Sequence, residues 1–96
     1  MEIIKNHDGE KLSLALKGRL DTVTAPELEA ALEFDGVTEL TIDCSELNYI
    51  SSAGLRVLLS AQKVMNKQGK MVLSHVSEAI MEVFEITGFT DILTIE

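Results

Sequence analysis

The sequence is poor in the features that mark membrane-spanning, secreted and disulfide-bonded proteins. Its apolar stretches are only a few residues long, far short of the roughly 20 residues that cross a bilayer, so no membrane span is expected. The N-terminus has no basic segment followed by an apolar run, which predicts no secretion signal and a cytoplasmic protein. The single cysteine, Cys44, excludes a disulfide framework and fits a reducing compartment.

Positive charge and aromatic residues are also scarce. Eight Lys and Arg stand against sixteen Asp and Glu, which gives a net charge of −8, and the basic residues are scattered along the sequence. Such a surface repels polyanions, and one Tyr with three Phe offers no stacking platform for bases. We therefore expect no nucleic-acid ligand, and the net charge favours a protein partner with a basic docking face.

Signatures of catalysis and cofactor binding are missing as well. His7 and His75 have no His, Cys or Glu at metal-ligand spacing, and no Gly-rich phosphate loop is present. The serine pair does not match a G-x-S-x-G elbow, because Ile50 stands where the first glycine belongs. A small serine hydrolase using Ser52, His75 and Asp43 stays open as an alternative, although 96 residues leave little room for a substrate pocket. The main expectation is a protein without enzymatic activity, metal or cofactor.

What the sequence does contain is a regular alternation of strand and helix patterns in one domain, residues 1–96. The predicted strands cover residues 2–5, 11–17, 38–44, 70–76 and 91–96. A predicted hairpin joins the first two strands, and predicted helices separate the later ones. Strands linked through helices are parallel, so the fold class is α/β, with a mixed sheet and helices packed on it.

The predicted helix starts carry capping residues. Thr24 is the expected N-cap of the first helix, with Glu27 as its capping-box partner, and Ser77 is the expected N-cap of the last. At the middle helix, the pair Ser51 and Ser52 suits the same capping role. A serine there also tolerates an added phosphate, because free N–H groups and the helix dipole favour negative charge. This turn follows a parallel strand, at the sheet edge where partners tend to bind.

Three segments together resemble the STAS domain family, named for sulphate transporters and anti-sigma factor antagonists. They are "LKGRLDTVTAPEL", "LTIDCSELNYISSAGLRVLL" and "KMVLSHVSEAIMEVFEITGF", and the resemblance runs over essentially the whole chain. The length is similar to that of the stand-alone bacterial antagonists. The resemblance implies a switch that binds an anti-sigma factor with serine kinase activity, is turned off by phosphorylation, and is reset by a metal-dependent serine phosphatase.

The resemblance also implies which residues act. The phosphate acceptor is Ser52, two positions before Gly54, and the second choice is Ser51, which stands where the family usually has Asp. The implied partner-binding residues surround the acceptor: Asp21, Thr22, Ser51, Ala53, Gly54, Leu55 and Arg56. A monomer or weak dimer is expected. The alternative function is a STAS regulatory subunit of another signalling system or of a lipid-transport ABC assembly, as in some stand-alone relatives.

Overall fold

The computed structural model describes residues 1–96 and is built on a four-stranded mixed sheet. Its strands, in spatial order, are β1 (Glu2–Asp8), β2 (Lys11–Leu20), β3 (Glu39–Ile50) and β4 (Lys70–Ser74). β1 and β2 form the antiparallel hairpin, while β2 with β3 and β3 with β4 pair in parallel. The predicted mixed α/β sheet is confirmed.

Three helices follow the strands in the predicted order. They are α1 (Ala25–Ala31), α2 (Ser52–Asn66) and α3 (Glu78–Thr87). α1 joins β2 to β3 and α2 joins β3 to β4, because parallel neighbours need a crossover connection. No helix is long and apolar enough to cross a bilayer.

The core lies against one face of the sheet. On β2, buried Leu12, Leu14 and Leu16 alternate with residues that are exposed or half-buried, as the side-chain period of a strand requires. The 22 buried apolar residues form one cluster, so the chain has a single core. Cys44 belongs to this cluster, and burial raises the pKa of its thiol to about 12, which makes it an unreactive core residue.

The predicted final strand is wrong. Gly88, in the left-handed conformation with φ of +80°, ends α3 and opens a short 3₁₀ helix, Phe89–Asp91. The turn continues to Leu93, whose N–H donates to the carbonyl of Phe89 at 2.8 Å. Too few residues remain for a strand, and only Ile95 forms a parallel bridge, with Leu73. The end of the chain therefore covers part of the edge of β4.

β3 is longer than predicted, and the added residues carry the chain to the candidate site. β4 pairs with β3 only as far as Ser74, opposite Asp43. β3 then continues beside β2 up to the pair Leu20 and Ile50, with register shifts in between. The carboxyl ends of β2 and β3 consequently project together beyond the end of β4.

Candidate functional site

The candidate site is the turn from β3 into α2, at the carboxyl end of the sheet. The N–H of Ser51 donates to the carbonyl of Leu20 at 2.9 Å, which ties this turn to the end of β2. The N–H of Leu55 donates to the carbonyl of Ser51 at 2.9 Å and closes the first turn of α2. Backbone bonds on both sides therefore hold the two serines in place.

Gly54 lets this turn pack directly onto the strand ends. A Cβ at this position would lie 2.6 Å from Cγ of Leu20 and 3.1 Å from Cγ1 of Ile50, closer than side chains normally approach. Gly54 and Leu55 are both buried. Both residues were predicted to bind the partner. In the structure they pack the turn against the core, and their contact with a partner stays a prediction.

The two serines differ in exposure. Ser51 occupies the N-cap position, but its side chain caps no N–H, and its Oγ is buried with no hydrogen-bond partner. Ser52 is the first residue of α2 and is exposed. The capping role predicted for the pair is therefore absent, whereas Ser77 does cap α3, with its Oγ accepting from the N–H of Ile80 at 3.3 Å.

A second turn, at the end of β2, lies beside the serines. Oδ1 of Asp21 accepts hydrogen bonds from the N–H groups of Val23 at 3.0 Å and Thr24 at 3.1 Å. The bond from Thr24 is the main reason that the pKa of Asp21 lies below its ordinary value. The predicted capping box with Glu27 does not form, because Oγ1 of Thr24 accepts instead from the N–H of Asp21 at 2.8 Å, while the hydroxyl donates to the carbonyl of Arg19 at 2.7 Å.

Three residues near these turns escaped the sequence analysis. The guanidinium of Arg19 lies 4.0 Å from the ring centroid of Tyr49, and its Nε is 3.7 Å from Oδ2 of Asp21. The third is Val23, whose side chain is unusually open to solvent for an apolar residue, at 80% exposure. The parallel register that pairs Arg19 with Tyr49 is visible only after folding. For Val23, the only local signal in the sequence was its position between two polar threonines, Thr22 and Thr24.

A shallow groove of about 260 Å³ runs between α1 and α2, next to Ser52. Its walls include Thr22, Pro26 and Glu29 on one side and Ala53 and Arg56 on the other. The structure thus brings together three of the predicted partner-binding residues, Thr22, Ala53 and Arg56, from two separate segments of the chain. The groove suits a side chain of a partner better than it suits an enclosed substrate.

The groups considered for a hydrolase are only partly brought together. Nδ1 of His75 lies 3.4 Å from Oδ1 of Asp43, whose pKa is lowered chiefly by the N–H of Ser45 and also by His75. Asp43 precedes Ile50 by several residues on β3, each adding about 3.3 Å along the strand, so Ser52, which follows Ile50, lies beyond hydrogen-bonding distance of this pair. The structure does not assemble the three groups into a catalytic site.

The sheet topology and the exposed serine at the start of α2 define an α/β domain with a mixed four-stranded sheet and a candidate interaction site at its carboxyl end. A family model described as "Mlab, STAS domain" matches residues 3–94. The chain therefore belongs to the STAS domain family.

Relatives and solved structures agree with this assignment. The chain is 37% identical over 97 residues to an anti-sigma-B factor antagonist of Listeria monocytogenes, covering 97% of this chain and 85% of the relative. It is 34% identical over 80 residues to the anti-sigma-B factor antagonist of Staphylococcus aureus, covering 79% and 74%. The structure of the Bacillus cell fate determinant SpoIIAA in its phosphorylated form is similar in fold, with a TM-score of 0.76, 19% identity, and coverage of 99% and 91%.

Proposed function

We propose that this protein is an anti-sigma factor antagonist, a non-enzymatic interaction module that is switched off by phosphorylation of Ser52. The proposed partner is an anti-sigma factor with serine kinase activity, and a metal-dependent serine phosphatase resets the switch. The names of the relatives from Listeria monocytogenes and Staphylococcus aureus support the role. The module acts in the cytoplasm, as a monomer or weak dimer.

The observation that carries the choice of acceptor is the contrast between the two serines. Ser52 is exposed, whereas Oγ of Ser51 is buried below the turn. A kinase must reach the hydroxyl that it modifies, so Ser52 is the accessible acceptor without any local unfolding. The existence of SpoIIAA in a phosphorylated form shows that a domain of the same fold accepts such a group.

A phosphate on Ser52 changes the surface more than it changes the fold. It brings a charge of about −1.5 to −2 to the mouth of α2, where free N–H groups and the helix dipole stabilise an anion. The surrounding residues Thr22, Ala53 and Arg56 line the adjoining groove, so a partner seated there meets the phosphate directly. Phosphorylation therefore removes the partner while the domain stays folded.

The test of the acceptor is incubation with the cognate anti-sigma factor kinase and ATP, followed by peptide mass spectrometry. Fragment ions that separate Ser51 from Ser52 should place the phosphate on Ser52. Ser52→Ala should abolish incorporation, and the matched control Ser51→Ala should retain it. Phosphate confined to Ser51, or persisting in Ser52→Ala, contradicts the assignment.

The alternative function is that of a STAS regulatory subunit of another signalling system or of a lipid-transport ABC assembly. One difference from the usual antagonist sequence supports it. Ser51 stands where the antagonists usually have Asp, which removes an acidic group next to the acceptor. Affinity purification from the native cell distinguishes the two functions. Recovery of an ABC-type ATPase in place of a serine kinase would favour the transport assembly.

A further inference from the structure

The charges of this acidic protein are unevenly distributed. Residues 47–77 contain no Asp or Glu at all, yet they hold half of the eight Lys and Arg: Arg56, Lys63, Lys67 and Lys70. All sixteen acidic residues lie in the remainder of the chain. The segment without acids contains the candidate site and the whole of α2.

Helix geometry gathers three of these basic residues on one surface. At about 100° per residue, positions 52, 56, 60, 63 and 67 fall within an arc of roughly 80°. All five side chains are exposed, and together they form what we call the outer face of α2: Ser52, Arg56, Ser60 and Lys63 in the helix, and Lys67 at its C-cap position. The expectation that basic residues are scattered is therefore wrong for this helix, because residues separated in sequence align along its axis.

The basic residues of the outer face are also the unpaired ones. Every other Lys and Arg lies within 4.0 Å of a carboxylate: Lys5 with Glu33, Lys11 and Lys70 with Glu39, Lys17 with Glu46, and Arg19 with Asp21. No carboxylate comes within this distance of Arg56, Lys63 or Lys67. Glu29 shares the groove with Arg56 but forms no ion pair with it. The outer face of α2 thus presents uncompensated positive charge.

We propose that the outer face of α2 binds an acidic surface of the protein partner. The argument is charge complementarity. The positive outer face attracts an acidic surface, whereas the acidic remainder of this protein is repelled by it, so α2 is oriented towards the partner. The face carries no large apolar or aromatic side chain that would anchor in a bilayer or stack on bases.

This inference rests on the proposed function and gives the switch a physical mechanism. Ser52 lies at one end of the outer face, and Arg56 is four residues further along, so the two side chains are neighbours on the helix. A phosphate of about −2 on Ser52 cancels most of the charge of the three basic residues. An acidic partner then loses its attraction without any change in the fold.

The experiment compares two double substitutions that remove the same charge. Lys63→Gln with Lys67→Gln changes the outer face, and Lys11→Gln with Lys70→Gln changes the exposed sheet residues beside Glu39. With the partner kinase as ligand, the first variant should bind about five- to tenfold more weakly and show a smaller dependence on salt concentration. The second should bind as the unsubstituted protein does. Equal affinity of the two variants would overturn the inference, even where phosphorylation of Ser52 upholds the proposed function.

A second measurement is independent of the kinase. ¹⁵N-labelled protein is titrated at low salt with a polyglutamate peptide, and amide shifts of α2 should move at Ser52, Arg56, Ser60 and Lys63, while those of β1 and β2 stay fixed. Shifts spread over the whole surface, or none on α2, would contradict the inference. Binding to phosphatidylglycerol vesicles or duplex DNA in preference to polyglutamate would overturn the choice of a protein partner.

Discussion

At the scale of single residues, Gly54 determines where the candidate acceptor lies. The first turn of α2 can approach Leu20 and Ile50 only because Gly54 has no side chain. Both neighbours are buried, with 0% and 5% of their surface exposed, so neither can move aside into solvent. The position of Ser52, two residues earlier, depends on this contact.

Gly54→Ala should destabilise the domain by about 1–2 kcal/mol. Alanine is favoured over glycine within a helix by up to ~1 kcal/mol, but overpacking of a filled core costs about 1–3 kcal/mol and outweighs that gain. Urea unfolding followed by circular dichroism measures the difference. Ser52→Ala, on the exposed side of the same turn, is the control and should stay within about 0.5 kcal/mol. A Gly54→Ala variant that is more stable than the unsubstituted protein would mean that the turn packs loosely.

Residues of the site were predictable from sequence where the signal was local. Ser52 and Gly54 lie in one short motif, and their places in the structure follow from the strand and helix around them. The contact between Arg19 and Tyr49 was not predictable, because it joins two strands through a register that contains irregularities. The buried hydroxyl of Ser51 was missed for a similar reason, since its surroundings come from several segments.

At the scale of the helices, the N-cap positions of α2 and α3 are occupied by the same residue type with different results. Oγ of Ser77 accepts the N–H of Ile80, whereas Oγ of Ser51 is buried without a partner. A capping bond stabilises a helix, and a buried hydroxyl without a partner costs free energy. Serine at a helix start is thus a capping signal only when its side chain is free to turn towards the helix.

The same substitution should therefore have opposite effects at the two positions. Ser77→Ala should lower the free energy of unfolding by about 1 kcal/mol through loss of the cap. Ser51→Ala should leave it unchanged or raise it slightly, because the buried polar atom is removed. Thermal and urea unfolding of both variants provide the comparison. A loss of similar size in Ser51→Ala would indicate that its hydroxyl has a hydrogen-bond partner in solution.

The boundaries of helices were predictable where N-capping and helix-terminating residues set them. Ser77 begins α3 and Gly88, with positive φ, ends it, as the sequence indicates. The last strand was not predictable, because "DILTIE" has a strand pattern that competes with a turn stabilised by Phe89 and Leu93. Which of the two forms depends on tertiary packing, and that packing cannot be read from a six-residue segment.

At the scale of the whole molecule, net charge and local charge point to different partners. The value of −8 describes the average surface and predicted a basic docking face on the partner. Along α2 and its C-cap, however, the exposed charged residues are all positive: Arg56, Lys63 and Lys67. Composition alone cannot reveal this separation, since it appears only when the helical period is applied to a segment whose bounds are known.

The carboxylates make the folded state sensitive to acid. The pKa values of Asp21, Glu33 and Asp43 all lie below their ordinary values, through hydrogen bonds from Thr24, Lys5 and Ser45 respectively. The folded state therefore binds fewer protons than the unfolded state as these groups titrate. Their contribution to stability is present above the ordinary values of 3.8 for Asp and 4.5 for Glu, and is lost as pH falls through the lowered values.

The urea midpoint should accordingly stay nearly level from pH 7 down to about pH 5 and fall steeply below about pH 4. A variant with Asp21→Asn and Glu33→Gln should be less stable at pH 7 and show a shallower fall, because two of the three carboxylates no longer titrate. Asp8→Asn with Asp35→Asn removes two exposed acids that form no side-chain hydrogen bond or ion pair, and it is the charge-matched control. It should keep the steep fall of the unsubstituted protein. If both double variants flattened the profile equally, the acid sensitivity would arise from general charge repulsion, which grows as carboxylates are protonated and the net charge turns positive.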